Sequence, residues 1–512
     1  MPNRDTDAAW KYHNGTKHSY LSVRQNPHFL DWDNKPLLFK IYLTLEVLRF
    51  PKDLEQSRVA ALSAIATRGD ENARAVSAIP DRETLARLLF FSAGVTKSKK
   101  YNGGETFFRA AACTGALYEI ELYFACCDLP GLAAGVYHFG VAEFGLRQLR
   151  KGDYRRVLVE ATGAHPAVAT APLIIICSGT YWRNAWKYRS RTYRHFGWDN
   201  GTIVANLLAM SSAVGLRAQV VMGFVDSQLN ALLDLDTQRE VTFSLVTIGE
   251  DAPIPDKPLP IERLDLPTVA YSKTEVDYPA MRQMHEASSL LLPDEVSGWR
   301  KTKSALTAGL GTGKTFPLQP FSEGHLPTDT LEKVILRRGS TRQFSRDAIS
   351  YSQLSTVLDR ATREFAADFL PPGKRLNDLY LIVNNVEGLP AGSYLYDVSG
   401  KQLVQLKEGD FRDRASYLGL EQQLPGDASV DVFFLADLPR VLDQLGNRGY
   451  RATQLEAGIL GGKMYLAAYA QRLGASGLTF YDDDVVNFFS PHAKGKSAIF
   501  LVALGKSART AT

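Results

Sequence analysis

The chain has 512 residues, 45% of them apolar and 22% charged, with a formal net charge of +4. That length exceeds what one hydrophobic core ordinarily holds, so two or more domains are expected. The small net charge gives no reason to expect nucleic acid or an anionic membrane as partner, and no apolar run approaches the roughly twenty residues of a membrane span. The four cysteines, Cys113, Cys126, Cys127 and Cys177, form neither a C-x-x-C pair nor a disulfide framework. Met1 to Trp10 lacks the apolar core of a signal peptide. A reducing cytoplasm is the expected compartment, and no metal site is expected.

In chain order, a first unit runs from Met1 to about Glu250. Within it, β-branched and apolar content predicts a strand over Glu119–Phe124, a long apolar-periodic stretch predicts a helix over Asn200–Val214, and a closing strand is expected at Val241–Gly249. Residues 251–327 read as a proline-rich, irregular linker, dense with Pro253, Pro255, Pro258, Pro260 and Pro267 at its start. A second unit occupies 328–512. Thr328 or Asp329 is expected to cap a short helix carrying Leu331, Val334 and Ile335, with Gly339 as its stop. A strand at Asp378–Val383, a helix at Gln454–Arg472 and a strand at Ser497–Gly505 follow. Helices and strands interleave without βαβ alternation, which argues an α+β fold with mixed, mainly antiparallel sheets.

The two units are copies of one another. Gly131-Leu132-Ala133-Ala134-Gly135-Val136-Tyr137 recurs as Gly388-Leu389-Pro390-Ala391-Gly392-Ser393-Tyr394, 257 positions later. The same spacing relates Gly152-Asp153-Tyr154-Arg155 to Gly409-Asp410-Phe411-Arg412, Arg191 and Arg194 to Arg448 and Arg451, and Gly201 to Gly458. A repeat of this length is a pair of whole domains rather than a solenoid unit, so the chain reads as a fused dimer.

Gly309-Leu310-Gly311-Thr312-Gly313-Lys314-Thr315 imitates a phosphate-binding loop, but its context is wrong. Such a loop needs a buried strand before it and a helix after it. Here the preceding stretch is polar and basic, and Pro317 and Pro320 oppose a following helix. A glycine-rich surface loop is the expected reading.

The second copy opens with Arg337, Arg338, Ser340 and Arg342 clustered at a helix end. Guanidinium forks match phosphate oxygens, although cations are also favoured at any helix C-terminus. The run Arg338-Gly339-Ser340-Thr341-Arg342-Gln343-Phe344 resembles the R-x-S-x-[RK]-x-F signature of the nitroreductase superfamily of FMN enzymes. The wider chain is similar to its SagB-type azoline-dehydrogenase branch, through Tyr12-His13, Thr16-Lys17-His18-Ser19, Gly115-Ala116-Leu117-Tyr118, Gly135-Val136-Tyr137-His138, Lys187-Tyr188 and Tyr193-Arg194.

That resemblance implies two tandem nitroreductase-like domains forming an intrachain pseudo-dimer, with flavin at the seam. It implies that Arg338, with Gly339, holds the FMN phosphate, Ser340 the ribityl side and Arg342 the N1/O2 edge of the ring. It assigns a backbone N–H of the 478–481 loop, at Thr479 and Phe480, to the flavin edge, and Lys506 to the phosphate. The family's P-S-A-G segment corresponds to Ala112-Cys113-Thr114-Gly115, a departure at its first three positions. It further implies that Lys187 and Tyr188 serve proton transfer, since removing hydrogen from carbon needs a base beside the hydride acceptor.

The copies differ where chemistry is concerned. The counterparts of Lys187 and Tyr188 are Gln444 and Leu445. Aligning Leu354 and Leu358 with Leu85 and Leu89 sets Arg68-Gly69-Asp70-Glu71-Asn72-Ala73 opposite Arg337–Arg342, putting two carboxylates where a phosphate would sit. One composite site per chain is therefore expected: an FMN-dependent oxidoreductase acting on a small molecule or modified peptide. Azoline dehydrogenation in peptide maturation is the narrower alternative, and a non-catalytic scaffold the alternative of another class. No G-x-G-x-x-G follows a strand, so NAD(P)H would dock only transiently. The fused pair is expected to be a monomer or a weak homo-oligomer.

Overall fold

A computed structural model of the chain describes residues 2–25, 27–68, 79–101, 104–302 and 313–508. Two seven-stranded sheets repeat one another strand for strand. The first contains β1 (Leu48–Arg49), β2 (Ile120–Cys126), β3 (Gly135–Gly140), β4 (Gly145–Lys151), β5 (Leu173–Thr180), β6 (Ala218–Val221) and β7 (Glu240–Ile248), ordered β1-β4-β3-β2-β5-β7-β6. The second contains β8 (Thr315–Pro317), β9 (Asp378–Val383), β10 (Gly392–Asp397), β11 (Gln402–Glu408), β12 (Val430–Ala436), β13 (Gly474–Leu478) and β14 (Ser497–Gly505), ordered β8-β11-β10-β9-β12-β14-β13. Every neighbouring pair in both sheets is antiparallel.

Even the irregularities repeat. The register slips between Val136 and Tyr137 and again between Ser393 and Tyr394. Tyr137 donates to the Ala133 carbonyl at 2.8 Å, and Tyr394 to that of Pro390 at 2.6 Å, which accounts for the recurring Gly-Leu-x-Ala-Gly-x-Tyr run. The fold is α+β with two tandem copies, as expected.

Helices α1 (Asp7–Gly15), α2 (Tyr181–Tyr188), α3 (Thr192–Ala213), α4 (Leu331–Arg337), α5 (Leu438–Leu445) and α6 (Asn447–Ala470) flank the sheets. The predicted helices at 200–214 and 454–472 are the C-terminal parts of α3 and α6, which start seven or eight residues earlier. Their first turns carry arginine, tyrosine and glycine and lack apolar periodicity. They are helical because their polar groups are paired at the seam.

There α3 and α6 cross with their backbones in contact. A Cβ on Gly201 would lie 2.5 Å from Gly458 Cα, and one on Gly458 would lie 2.5 Å from the Trp198 carbonyl oxygen. Beside the crossing, Arg191, which precedes α3, and Arg194 of α3 donate to Asp482 of the second copy at 3.1 and 2.6 Å. Arg448 and Arg451 of α6 donate to Asp226 of the first copy at 2.6 and 2.8 Å. All six side chains are buried, and each carboxylate is shared by two guanidiniums that lower its pKa despite burial.

Three local expectations are corrected. Helix α4 is bounded by Thr330, whose side chain makes no capping bond. Asp329 instead pairs with Arg337 and Arg472 at 2.8 and 2.9 Å. The helix stops at Arg337, two residues before Gly339, because Arg338 turns extended to reach the first copy. The segment 251–327 is not irregular throughout: it holds helices Pro279–Ala287 and Pro293–Lys301, each begun by a proline whose missing N–H costs nothing there. Residues 309–312 of the glycine-rich run lie outside the described residues, but Thr315–Pro317 is a strand on β11 and not the helix a phosphate loop needs. Among the described residues, no helix is long and apolar enough to cross a membrane.

Candidate active site

A cavity of about 450 Å³ opens between the copies, within the size range of cofactor pockets. Its wall takes Cys113, Thr114, Gly115, Lys187 and Tyr188 from the first copy and Ser340, Arg342 and Thr479 from the second. The first-copy wall is set by two anchors. Arg338 crosses the seam and donates to the carbonyls of Ala110 and Arg109 at 2.8 and 2.7 Å. Asp199, on α3, accepts from the Thr114 amide at 2.8 Å and from the Thr114 hydroxyl at 2.9 Å.

Gly115 is required by its surroundings. Its φ is +65°, and a Cβ there would lie 2.8 Å from the Tyr188 hydroxyl oxygen. Tyr188 therefore leans directly on the 113–115 segment, and its other side packs edge-on against His195 at 4.7 Å. Burial, then the neighbouring Asp199, Cys113 and Glu119, push the Tyr188 phenol up. Helix α2 ends at Tyr188 because Arg189 takes φ 50° and ψ −140°, a region normally left to glycine. The equivalent joint after α5 is Gly446, with φ 65° and ψ −161°.

Lys187 sits at the mouth, its ammonium 5.3 Å from the Tyr188 ring centroid. Partial desolvation and then the Arg342 guanidinium lower its basicity. Arg342 itself has no carboxylate partner among the described residues and faces the cavity. On the second-copy side, the Thr479 hydroxyl is buried without a hydrogen-bond partner. The Thr479 amide likewise meets no protein acceptor among the described residues. Trp198 also lines the cavity, its ring tilted against Phe500 at 5.0 Å and its N–H donating to Gln454 at 2.7 Å.

Behind the wall, Cys113 donates to Asp199 at 3.2 Å and lies 3.5 Å from Glu119. The ligand atoms of these three residues all lie within 4.8 Å of one another. Neither carboxyl has a cationic partner among the described residues, and burial raises both. Two such groups hold a proton between them.

Other residues singled out from the sequence stand elsewhere. Gly339, Phe480 and Lys506 are not in the cavity wall. Phe480 is buried behind it, under Arg191 at 5.5 Å. Lys506 is exposed, its carbonyl accepting from the Ser345 amide at 3.0 Å. Arg338 is buried and occupied by carbonyls. Lys97, not singled out from the sequence, donates to the carbonyls of Arg337 and Arg338 at 3.0 and 3.1 Å. His18, Trp198, Asp199 and Gln422 also line the cavity and were missed. Asp199 had a signal, as the single carboxylate in the stretch Thr192–Ala213. Of the first-copy stretch 68–73, only Arg68 is described, pairing with Glu364 at 2.9 Å; Asp70 and Glu71 lie outside the described residues.

Residues 335–506 match the sequence model of the nitroreductase family. A protein of Methanocaldococcus jannaschii named as a candidate nitroreductase is 25% identical over 165 residues, covering 32% of this chain and 78% of its own. The crystal structure of a candidate nitroreductase from Anabaena variabilis is 25% identical, covers 98% of this chain and 99% of its own, and superposes with a TM-score of 0.76. The fold thus follows that of a candidate nitroreductase over both copies, and within the second copy residues 335–506 are similar to the nitroreductase family.

Proposed function

We propose that the protein is an FMN-dependent oxidoreductase with one composite site per chain. The observation that carries this reading is that Lys187 and Tyr188 of the first copy share one cavity with Ser340, Arg342 and Thr479 of the second. The residues fit a flavin. Arg342 offers an uncompensated cation, and Thr479 an amide and a hydroxyl that no protein atom uses. Trp198 and the Cys113–Gly115 segment supply flat, water-excluding walls. At the phosphate end, Arg338 would have to yield its bonds to Arg109 and Ala110, with Lys506 exposed nearby in sequence to the last strand.

Bound FMN would supply hydride acceptance and donation, the part of the chemistry no side chain here can provide. Arg342 would hold the pyrimidine edge, where a fixed cation favours the reduced, more negative ring. Lys187, made less basic by desolvation and by Arg342, takes a proton from substrate carbon or returns one. Tyr188, a protonated phenol, donates a hydrogen bond that orients the substrate. The presence of both groups in the cavity favours a dehydrogenase acting on a heterocyclised peptide, the azoline reading, over simple quinone or nitro reduction, which needs no such base.

The test is a visible spectrum of the purified chain followed by anaerobic addition of NADPH and, separately, of an azoline-containing peptide. A flavin spectrum bleached by the peptide supports the proposal. A chain that takes up no FMN would sink it.

A further inference from the structure

The pocket on the other side of the pseudo-two-fold also differs at the end of its edge strand. Strands β6 and β13 correspond at the constant spacing of 257, pairing alike with β7 and β14. Both copies then reach a phenylalanine lying under an arginine of the other copy, Phe224 under Arg448 of α6 at 4.3 Å and Phe480 under Arg191, just ahead of α3, at 5.5 Å. Between strand and phenylalanine stand Met222 and Gly223 in the first copy, and Thr479 alone in the second.

The first-copy amides are taken. Met222 N and Gly223 N each donate to the Asp368 carboxylate at 2.8 Å. The residues before Asp368 run parallel along the free edge of β6: Val220 N donates to the Ala366 carbonyl at 2.9 Å, and Asp368 N donates to the Val220 carbonyl at 3.1 Å. Asp368 is fully buried. Two convergent amides form an anion-binding seat, reached here by strand addition. What remains beyond the segment is a pocket of about 210 Å³, beside Glu456 and Leu460, the counterparts of Asp199 and Ile203.

On the other side single groups meet the same edge in place of an added strand: the Gly477 amide donates to the Tyr465 hydroxyl and the Ala475 carbonyl accepts from the Thr341 amide at 2.9 Å, while the Thr479 amide meets no acceptor among the described residues. The connection after helix Arg82–Ala93 pairs with itself, as the hairpin Val95–Tyr101 with Gly104–Arg109, and leaves β13 facing the cavity. The connection after helix Tyr351–Ala361 instead lies across β6.

We propose that Asp368 decides which of the two pseudo-equivalent pockets takes the cofactor: its carboxylate fills, from within the chain, the donor seat that Thr479 offers to a ligand on the other side. This rests on the FMN reading above. Asp368 is a positioning residue for the whole molecule, since the pocket it closes is the one lacking a lysine–tyrosine pair.

The experiment is hydrogen–deuterium exchange on the full chain, wild type and Asp368→Ala, with and without FMN. In the flavin-free wild type, Met222 and Gly223 should exchange at least about tenfold more slowly than Thr479. FMN should slow exchange at 474–480 and leave 218–223 unchanged. Asp368→Ala should raise exchange at Met222 and Gly223 by about tenfold or more without altering 474–480. FMN protection of both segments in the wild type, or unchanged Met222 and Gly223 exchange in Asp368→Ala, overturns the proposal. If FMN protects neither segment, the flavin reading fails, and the flavin-free comparison still decides whether Asp368 fills the seat. Should Asp368→Ala not fold, Asp368→Asn, which keeps one carbonyl acceptor, is read instead, with an intermediate rise expected and no rise overturning.

Discussion

Gly201 and Gly458 are separated by 257 positions in the chain and touch backbone to backbone in the fold, each blocked from carrying a side chain by the other's helix. This contact sets how near α3 and α6 approach. The approach in turn fixes the width of the cavity, because Trp198 and Asp199 lie one turn before Gly201 and Tyr465 two turns after Gly458.

Gly201→Ala should therefore separate the helices. The Cβ would meet main-chain atoms at 2.5 Å, which no rotamer can relieve. A loss of about 1–3 kcal/mol or more is expected in denaturant unfolding, together with weaker flavin retention. Gly298→Ala is the control, since a Cβ there meets nothing within 4 Å. In a helix interior it should stabilise by up to about 1 kcal/mol.

Asp482→Asn would leave Arg191 and Arg194 buried without their shared anion. Breaking such a cluster costs about 3–5 kcal/mol, read as a lowered unfolding midpoint. The two guanidiniums depress the Asp482 carboxyl. Its contribution is thus complete above the unfolded carboxyl value of about 3.9 and is lost as pH falls below it toward the folded value. The wild-type acid limb of stability should be steeper than that of Asp482→Asn, and a superimposable pair of limbs would contradict the clamp.

Lys187→Ala should lower turnover by about 10²–10⁴-fold while bound flavin stays, the usual contribution of a positioned base. Arg342→Gln removes a like charge that lowers the Lys187 pKa. The acid limb of its turnover profile should move to higher pH, and a limb that stays in place would remove Lys187 from proton transfer.

Arg338→Gln deletes two charge-assisted bonds across the seam, each worth about 1.5–3 kcal/mol. If the guanidinium acts through the Arg109 and Ala110 carbonyls, FMN and riboflavin should lose affinity by the same factor in fluorescence titration. A selective loss for FMN would put Arg338 on the phosphate.

Much of this was legible before folding. The repeat spacing predicted two copies of one α+β unit, and the structure adds that even the register slips at Val136 and Ser393 are paired. Lys187 and Tyr188, and Ser340 and Arg342 of the Arg338-to-Phe344 run, line the cavity, whereas Arg338 and Gly339 of that run do not. The early turns of α3 and α6 were not legible, since Tyr193, Arg194 and Arg451 become helical only when partners from the other copy pair their polar groups.

Amino-acid order by itself determined that there are two copies of an α+β unit and which short runs could carry chemistry. Only tertiary structure decided that Arg338 spends its guanidinium on the first copy and that Asp368 occupies an amide pair 145 residues away. It also decided that the Cys113, Glu119 and Asp199 side chains converge. Local conformation follows from neighbours in sequence, whereas a hydrogen-bond seat is filled by whichever segment the fold brings to it.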